Sequence, residues 1–281
     1  MYSSNSSAND SNIWNRYSQV KTFHNGGTAK VHLAIDTITG FPVAVKELDA
    51  TFLKNDEMRR KFRKEANKYL YLEHPGIVRL DDFIDLGTKQ YLIMEYIEGL
   101  NLADHLKKMT GPMPFHNAAI IISEVADALH HAHIEGHIHL DIKPSNIMLT
   151  HDFKAKLIDF GIAQNITTGT QALVMGTPPY MSPEQIDGKV LGFASDIFSL
   201  GITLYEMVGG QLPFHYAESK EELFKCIKNK PLPKISAHYN VDFPKEYRMM
   251  EIIRKATEKI PQQRFASCLE FKQSLEQFLN D

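Results

Sequence analysis

Between positions 17 and 96 apolar residues alternate with polar ones or form short runs bounded by turn residues, which is the period of β-strands. Strands are expected over Tyr17 to Phe23, Lys30 to Asp36, Pro42 to Leu48, Val78 to Leu86 and Gln90 to Glu95, with turns at Gly26-Gly27 and Thr39-Gly40. One segment breaks the pattern. Behind the cap candidates Asn55 and Asp56, residues Met58, Phe62, Ala66, Tyr69 and Leu70 follow helical spacing and predict a helix from Asn55 to Leu72. After Gly99 the period lengthens, and helices are expected over Phe115 to His133, Ser195 to Val208, Ser219 to Lys228, Lys245 to Lys259 and Ser267 to Leu279. The chain is therefore α+β in two lobes: an N-lobe over 16–95, with a small antiparallel sheet and one main helix, and a larger, mainly α C-lobe over 100–281. The hinge falls at 95–99, where an apolar strand runs into Glu98-Gly99, and such a junction is a usual place for a ligand.

Composition narrows the picture. With 281 residues and 43% hydrophobic content the chain buries a real core. A net charge of −3 gives no electrostatic case for nucleic acid or an anionic membrane as main partner. Two cysteines, Cys226 and Cys268, lack metal spacing and offer no disulfide framework, which fits a reducing, cytoplasmic setting. The Ser/Asn-rich residues 1–15 read as a flexible tail rather than a signal peptide. No stretch reaches about 18 uninterrupted apolar residues, so no membrane segment is expected in this chain, and any tethering would come through other regions.

The chemistry concentrates in His139-Leu140-Asp141-Ile142-Lys143-Pro144-Ser145-Asn146, followed by Asp159-Phe160-Gly161. Asp141 is an acid able to accept a hydroxyl proton, while Asn146 and Asp159 offer the hard oxygens that Mg²⁺ prefers. Upstream, Asn25-Gly26-Gly27-Thr28-Ala29-Lys30-Val31 is a small-residue turn whose backbone can approach phosphate, although alone it reads equally well as a hairpin turn that needs glycine. Val43-Ala44-Val45-Lys46 is an apolar strand ending in a cation, and Glu65 on the expected helix is its natural counter-ion. Downstream lie Gly176-Thr177-Pro178-Pro179-Tyr180-Met181-Ser182-Pro183-Glu184, then Ser195-Asp196 opening a helix, then Arg264.

In this order the motifs resemble those of the eukaryotic-like Ser/Thr protein kinases, most closely bacterial members, and they cover the chain from Tyr17 to about Leu279. The resemblance implies that ATP and Mg²⁺, with Mn²⁺ as a substitute, bind between the lobes and that the γ-phosphoryl passes to Ser or Thr hydroxyls of protein substrates. It assigns catalysis to Asp141, Lys143, Lys46 and Glu65, and metal binding to Asn146 and Asp159. Nucleotide contacts fall to Gly26, Gly27, Thr28, Ala29, Val31, Ala44, Lys46, Met94, Glu95, Ile97 and Met148. Thr177 positions the substrate, and its pairing with Lys143 marks Ser/Thr rather than Tyr specificity. Glu184, Asp196 and Arg264 are structural, with Glu184 and Arg264 as an ion pair. Thr167, Thr168 and Thr170 are candidate phosphosites, and self-association for autophosphorylation is implied.

Three departures matter. Against G-x-G-x-x-G-x-V, His24 and Ala29 replace the first and third glycines, with a strain cost of roughly 1 kcal/mol if His24 must take positive φ. Leu140 stands where most protein kinases carry Arg, so it cannot bind a phosphate on the activation segment, and activity is expected to depend little on phosphorylation there. These departures keep two rivals in view, a pseudokinase scaffold and a small-molecule kinase. The intact phosphoryl-handling groups oppose the first, and Thr177, Glu184, Asp196 and Arg264 oppose the second. Histidines 130, 131, 133, 137 and 139 suggest zinc, but no cysteine or carboxylate lies near enough in sequence to complete a site.

Overall fold

The computed structural model describes residues 10–25, 29–48, 63, 66, 69–70, 72–87, 89–158, 176–235 and 245–281. The chain divides into two compact units, one of Met1–His74 with Val78–Glu98 and one of Pro75–Ile77 with Gly99–Asp281.

In the first unit a short helix α1 (Asp10–Arg16) leads into β1 (Tyr17–Asn25), β2 (Ala29–Asp36), β3 (Pro42–Leu48), β4 (Leu80–Asp85) and β5 (Gln90–Glu95). They form one antiparallel sheet in the order β1-β2-β3-β5-β4. Because side chains alternate across a strand, Lys46, opposite Val31, shares a face with Ala44, opposite Met94. Val43, Val45 and Ile93 point the other way and form a core with Ile13, Tyr17, Ala34 and Tyr91. The expected tail is thus corrected over residues 10–15. They form most of α1, anchored by buried Ile13, by Trp14 edge-on to His32 and Tyr91, and by the guanidinium of neighbouring Arg16 on Asp36. Two large apolar residues suffice to dock a turn of helix that polar neighbours disguise.

The predicted helix over Asn55 to Leu72 falls mostly outside the described residues; positions 63, 66 and 69 are helical and Ala66 is buried. His24 lies within β1 opposite Lys30 and is absent from the positive-φ residues, so the strain considered for it does not arise. Strand β4 is shorter at both ends than its apolar run.

The second unit holds a three-stranded antiparallel sheet, β6 (Gly99–Asn101), β7 (Ile147–Thr150) and β8 (Ala155–Leu157). Among the described residues its helices are α2 (Leu102–Lys108), α3 (Phe115–Ile134), α4 (Pro183–Ile186), α5 (Phe193–Gly209), α6 (Lys220–Asn229), α7 (Glu246–Ala256) and α8 (Cys268–Asn280). Strands β6, β7 and β8 and helices α2 and α4 are unforeseen, since three to seven residues carry too little periodicity to read. Side-chain caps set several starts: Asn101 accepts from Asp104 N, Ser219 from Glu222 N and Ser267 from Glu270 N. Helix α5 is buried along nearly its whole length and ends at Gly210, whose φ of 70° suits glycine. A Cβ on Gly201 would come within 2.8 Å of both Ala256 and Thr257, so glycine is what lets α5 pack this closely on the end of α7. Helix α7 stops at Ala256, short of the expected Lys259, and the Thr257 hydroxyl turns back to the carbonyl of Ile253 at 2.8 Å. Among the described residues no helix is long and apolar enough to cross a membrane.

Candidate active site

The loop between α3 and β7 carries Asp141 and is wired from below by Asp196 in the first turn of α5. Asp196 is fully buried; its Oδ1 accepts Leu140 N at 2.7 Å, and its Oδ2 accepts His139 N and His133 Nε2, both at 2.8 Å. Leu140 is itself buried and sits at a φ of 63°. His133 stacks on Phe193 at 4.3 Å, and its Nδ1 faces Cys268 Sγ at 3.7 Å. Burial pushes the Cys268 thiol well up, with the Asp196 charge adding to it, so this cysteine is an unreactive core group. Histidine 139, 1% exposed, accepts Asp141 N at 3.3 Å. His133 and His139 are thus buried hydrogen-bonding supports of the loop, and among the described residues no group of three or more His, Cys, Asp and Glu could hold a metal.

Four side chains converge above this support. Asp141 Oδ1 accepts Thr177 N at 3.0 Å and Thr177 Oγ1 at 2.8 Å. Its Oδ2 meets Lys143 Nζ at 2.7 Å and Asn146 Nδ2 at 3.1 Å. Lys143 Nζ also donates to Thr177 Oγ1 at 2.6 Å, and Asn146 Nδ2 donates to the Asp141 carbonyl at 2.9 Å. Because the Asn146 amide nitrogen faces Asp141, its Oδ1 is the atom left to serve as a hard ligand. The second predicted metal ligand, Asp159, lies outside the described residues, as do Gly26, Gly27, Thr28, Glu65, Thr167, Thr168 and Thr170.

The remaining predicted nucleotide residues fall in two groups. Ala29, Val31, Ala44, Lys46, Met94 and Glu95 lie on β2, β3 and β5, and Ile97 follows β5, all in the first unit. Glu95 is fixed by a two-way link, its N donating to Arg79 O and its Oε1 accepting Arg79 N, each at 3.0 Å. Met148 is in the second unit, on β7 between Asn101 and Lys156.

The protein kinase domain model matches residues 17–278. The chain belongs to the protein kinase family. It is 37% identical over 96% of its length to a probable serine/threonine-protein kinase of Clostridium perfringens, and it covers 39% of that protein. It is 35% identical over 90% of its length to the serine/threonine-protein kinase PrkC of Bacillus subtilis, again covering 39%. With the serine/threonine-protein kinase PknB of Mycobacterium tuberculosis the identity is 33%, over 94% of this chain and 43% of the other. The chain therefore spans about two fifths of the length of these relatives. Among solved structures, the Mycobacterium tuberculosis PknI kinase domain superposes with a TM-score of 0.74 at 26% identity, covering 93% of this chain and 96% of that one.

Three anchors, two of them buried and the Tyr180–Glu206 bond half-buried, stabilise this kinase domain around the loop. The Arg264 guanidinium grips Glu184 through two bonds of 2.7 and 2.8 Å, with Ser195 Oγ donating to the same carboxylate at 2.7 Å. Burial pushes the Glu184 carboxyl up, yet Arg264 and Ser195 together bring it below the ordinary glutamate value. Tyr180 OH donates to Glu206 Oε2 at 2.5 Å; burial raises both groups, and the tyrosine stays protonated. Gln185 links Ser182 to the carbonyl of Leu140. Of these, Glu184 and Arg264 were legible as motif residues. His133, Tyr180, Glu206 and Gln185 were missed, and only Gln185 left a signal, the Ser-x-x-Gln spacing of a capping box from Ser182.

Proposed function

We propose that this chain is the catalytic domain of an ATP-dependent Ser/Thr protein kinase. The observation that carries the reading is the convergence of Lys143, Asn146 and Thr177 on the Asp141 carboxylate. A carboxylate offers about four acceptor directions, and here all four are occupied by donors. A substrate hydroxyl must therefore displace one of them. Lys143 is the one charged donor of the four, and the transferring phosphoryl attracts it. As it turns toward the transferring phosphoryl, it vacates Asp141 Oδ2 for the incoming hydroxyl proton. Thr177, held at both N and Oγ1, keeps the carboxylate aimed while Lys143 moves. A positioned base of this kind typically contributes about 10² to 10⁴ in rate.

Asn146 Oδ1 with Asp159 would hold a divalent metal, which supplies charge neutralisation on the phosphates. Oxygen ligands of this type suit Mg²⁺, with Mn²⁺ as a substitute. Lys46 lies on the face of β3 shared with Ala44 and Met94, which suits a cation that meets phosphate beside an apolar surface for adenine. Substrates are proteins presenting Ser or Thr, and the chain itself, at Thr167, Thr168 or Thr170, is among them through self-association. Relatives more than twice as long leave room for a membrane tether elsewhere in the protein, with this domain in the cytoplasm.

The test is incorporation of labelled phosphate from ATP and Mg²⁺ into the protein and into a generic basic substrate, for wild type and Asp141→Asn. Phosphoserine or phosphothreonine formed by wild type alone is the expected result. No incorporation by a folded, ATP-binding wild type would replace the reading with a nucleotide-binding scaffold.

A further inference from the structure

We infer that Gln185 is a positioning residue that sets the peptide plane leading into Asp141, an inference that rests on the phosphoryl-transfer reading above. Leu140 adopts a φ of 63°, a region that L side chains rarely enter. A residue persists there only where its surroundings over-determine it. Both peptide groups of Leu140 are gripped by buried side chains: its N by Asp196 Oδ1 at 2.7 Å and its carbonyl oxygen by Gln185 Nε2 at 3.0 Å. The two grips are not redundant. The N–H belongs to the peptide before Leu140, whereas the carbonyl belongs to the peptide that contains Asp141 N. His139 Nδ1 holds that second plane from the N–H side at 3.3 Å, and the shorter Gln185 bond holds it from the carbonyl side, so that together they set the direction in which Asp141 leaves the chain.

The orientation of the Gln185 amide is determined by its neighbours. Gln185 is 2% exposed, and its Oε1 accepts Ser182 N at 2.9 Å and Ser182 Oγ at 3.1 Å, so the NH₂ end must face Leu140. Gly176 closes the third side. A Cβ there would lie 3.0 Å from Leu140 O and 3.3 Å from Gln185 Nε2, at a φ of 114°. One buried amide thus ties helix α4 to Leu140, against the residue that precedes Thr177, and Thr177 in turn binds Asp141 Oδ1. This neutral clamp acts beside the charged one at Asp196, and neither passes through the side chain of Leu140.

The decisive variant is Gln185→Glu, which keeps an oxygen for Ser182 and removes the donor to Leu140. Gln185→Met, which removes both, is its companion. Steady-state kinetics should show kcat lowered about tenfold with the KM for ATP nearly unchanged, as expected for loss of one buried hydrogen bond that orients the reacting group. Amide hydrogen exchange at Leu140 and Asp141 should accelerate while the middle of α5 stays protected, and thermal melts identify whichever variant folds. Wild-type kcat in a folded variant, or unchanged exchange at Leu140 and Asp141, would overturn the assignment. If wild type incorporates no phosphate, the kinase reading fails by itself, and the exchange measurement still decides whether Gln185 holds this peptide.

Discussion

Replacing Arg264 by Met tests how the second unit is held together. The guanidinium makes two bonds to Glu184, and it also donates to the carbonyls of Glu258 and Ala194 at 2.8 and 2.7 Å. Its side chain is fully buried, and that of Glu184 is 6% exposed. Arg264→Met leaves the Glu184 carboxylate in that environment with the Ser195 hydroxyl and a backbone N–H but no cation. Breaking one side of such a pair costs about 3 to 5 kcal/mol. At about 2 to 4 °C per kcal/mol for a domain of this size, the melting temperature should fall by roughly 6 to 20 °C. The pH dependence has a definite sign. In wild type the Glu184 carboxyl is held below its ordinary 4.5, so its contribution is present above that value and is lost as pH falls through the folded value. In the variant, burial is no longer offset by the cation, so acid relieves the orphaned charge, and the gap between the two proteins narrows as pH is lowered. Differential scanning calorimetry across pH 4 to 8 measures this. Glu184→Leu combined with Arg264→Met should recover part of the loss, because it removes the unpaired charge along with its partner. A single variant that loses less than about 1 kcal/mol, or a double variant no better than the sum of the singles, would refute the reasoning.

Other expectations follow from particular residues. Asp141→Asn should lower phosphate incorporation at least about 10²-fold with little change in the melt, since the isosteric amide keeps the shape of the site. Phosphatase treatment should leave most of the rate intact, because the Leu140 position offers no cation to a phosphate; a dead enzyme after treatment would contradict this. Ile13→Ala should cost about 2 to 5 kcal/mol by urea unfolding if α1 is an integral layer of the sheet. Lys259 is lowered to about 8 by burial, so Lys259→Met should stabilise the protein at pH 7, and that advantage should shrink as pH rises past 8 and the wild-type lysine loses its proton.

The sheet was readable because each of its strands carries alternation or an apolar run long enough to outweigh chance, and Pro42–Leu48 and Gln90–Glu95 match the expectation residue for residue. Helices α3, α5, α6, α7 and α8 were placed to within three residues at either end, and their termini moved where a hydroxyl or a glycine, rather than the apolar period, decides the stop. Helix α1 was hidden because Ile13 and Trp14 act alone in a polar stretch. Within the site, Asp141 and Asn146 were legible from their residue types and spacing, and Lys143 and Thr177 from the resemblance to protein kinases. His133 and Gln185 were not, because their partners lie 63 and 45 residues away and no local pattern announces such a bond.

The support of Asp141 explains why that loop can depart from the common pattern at position 140 without losing its geometry. Its polar contacts divide by direction. From below, Asp196 holds two consecutive amides, and His133 satisfies the same carboxylate, so the buried charge there is spread over three donors. From the side, Gln185 holds the carbonyl, and from above Thr177 holds the carboxylate. None of these contacts passes through the side chain of Leu140, which is apolar and buried. A charged residue there would add a lever by which a distant phosphate could pull on the loop, but the loop would keep its form without it. Substitution at 140 is therefore expected to alter regulation, whereas substitution at 185 or 196 alters the geometry of the reaction itself.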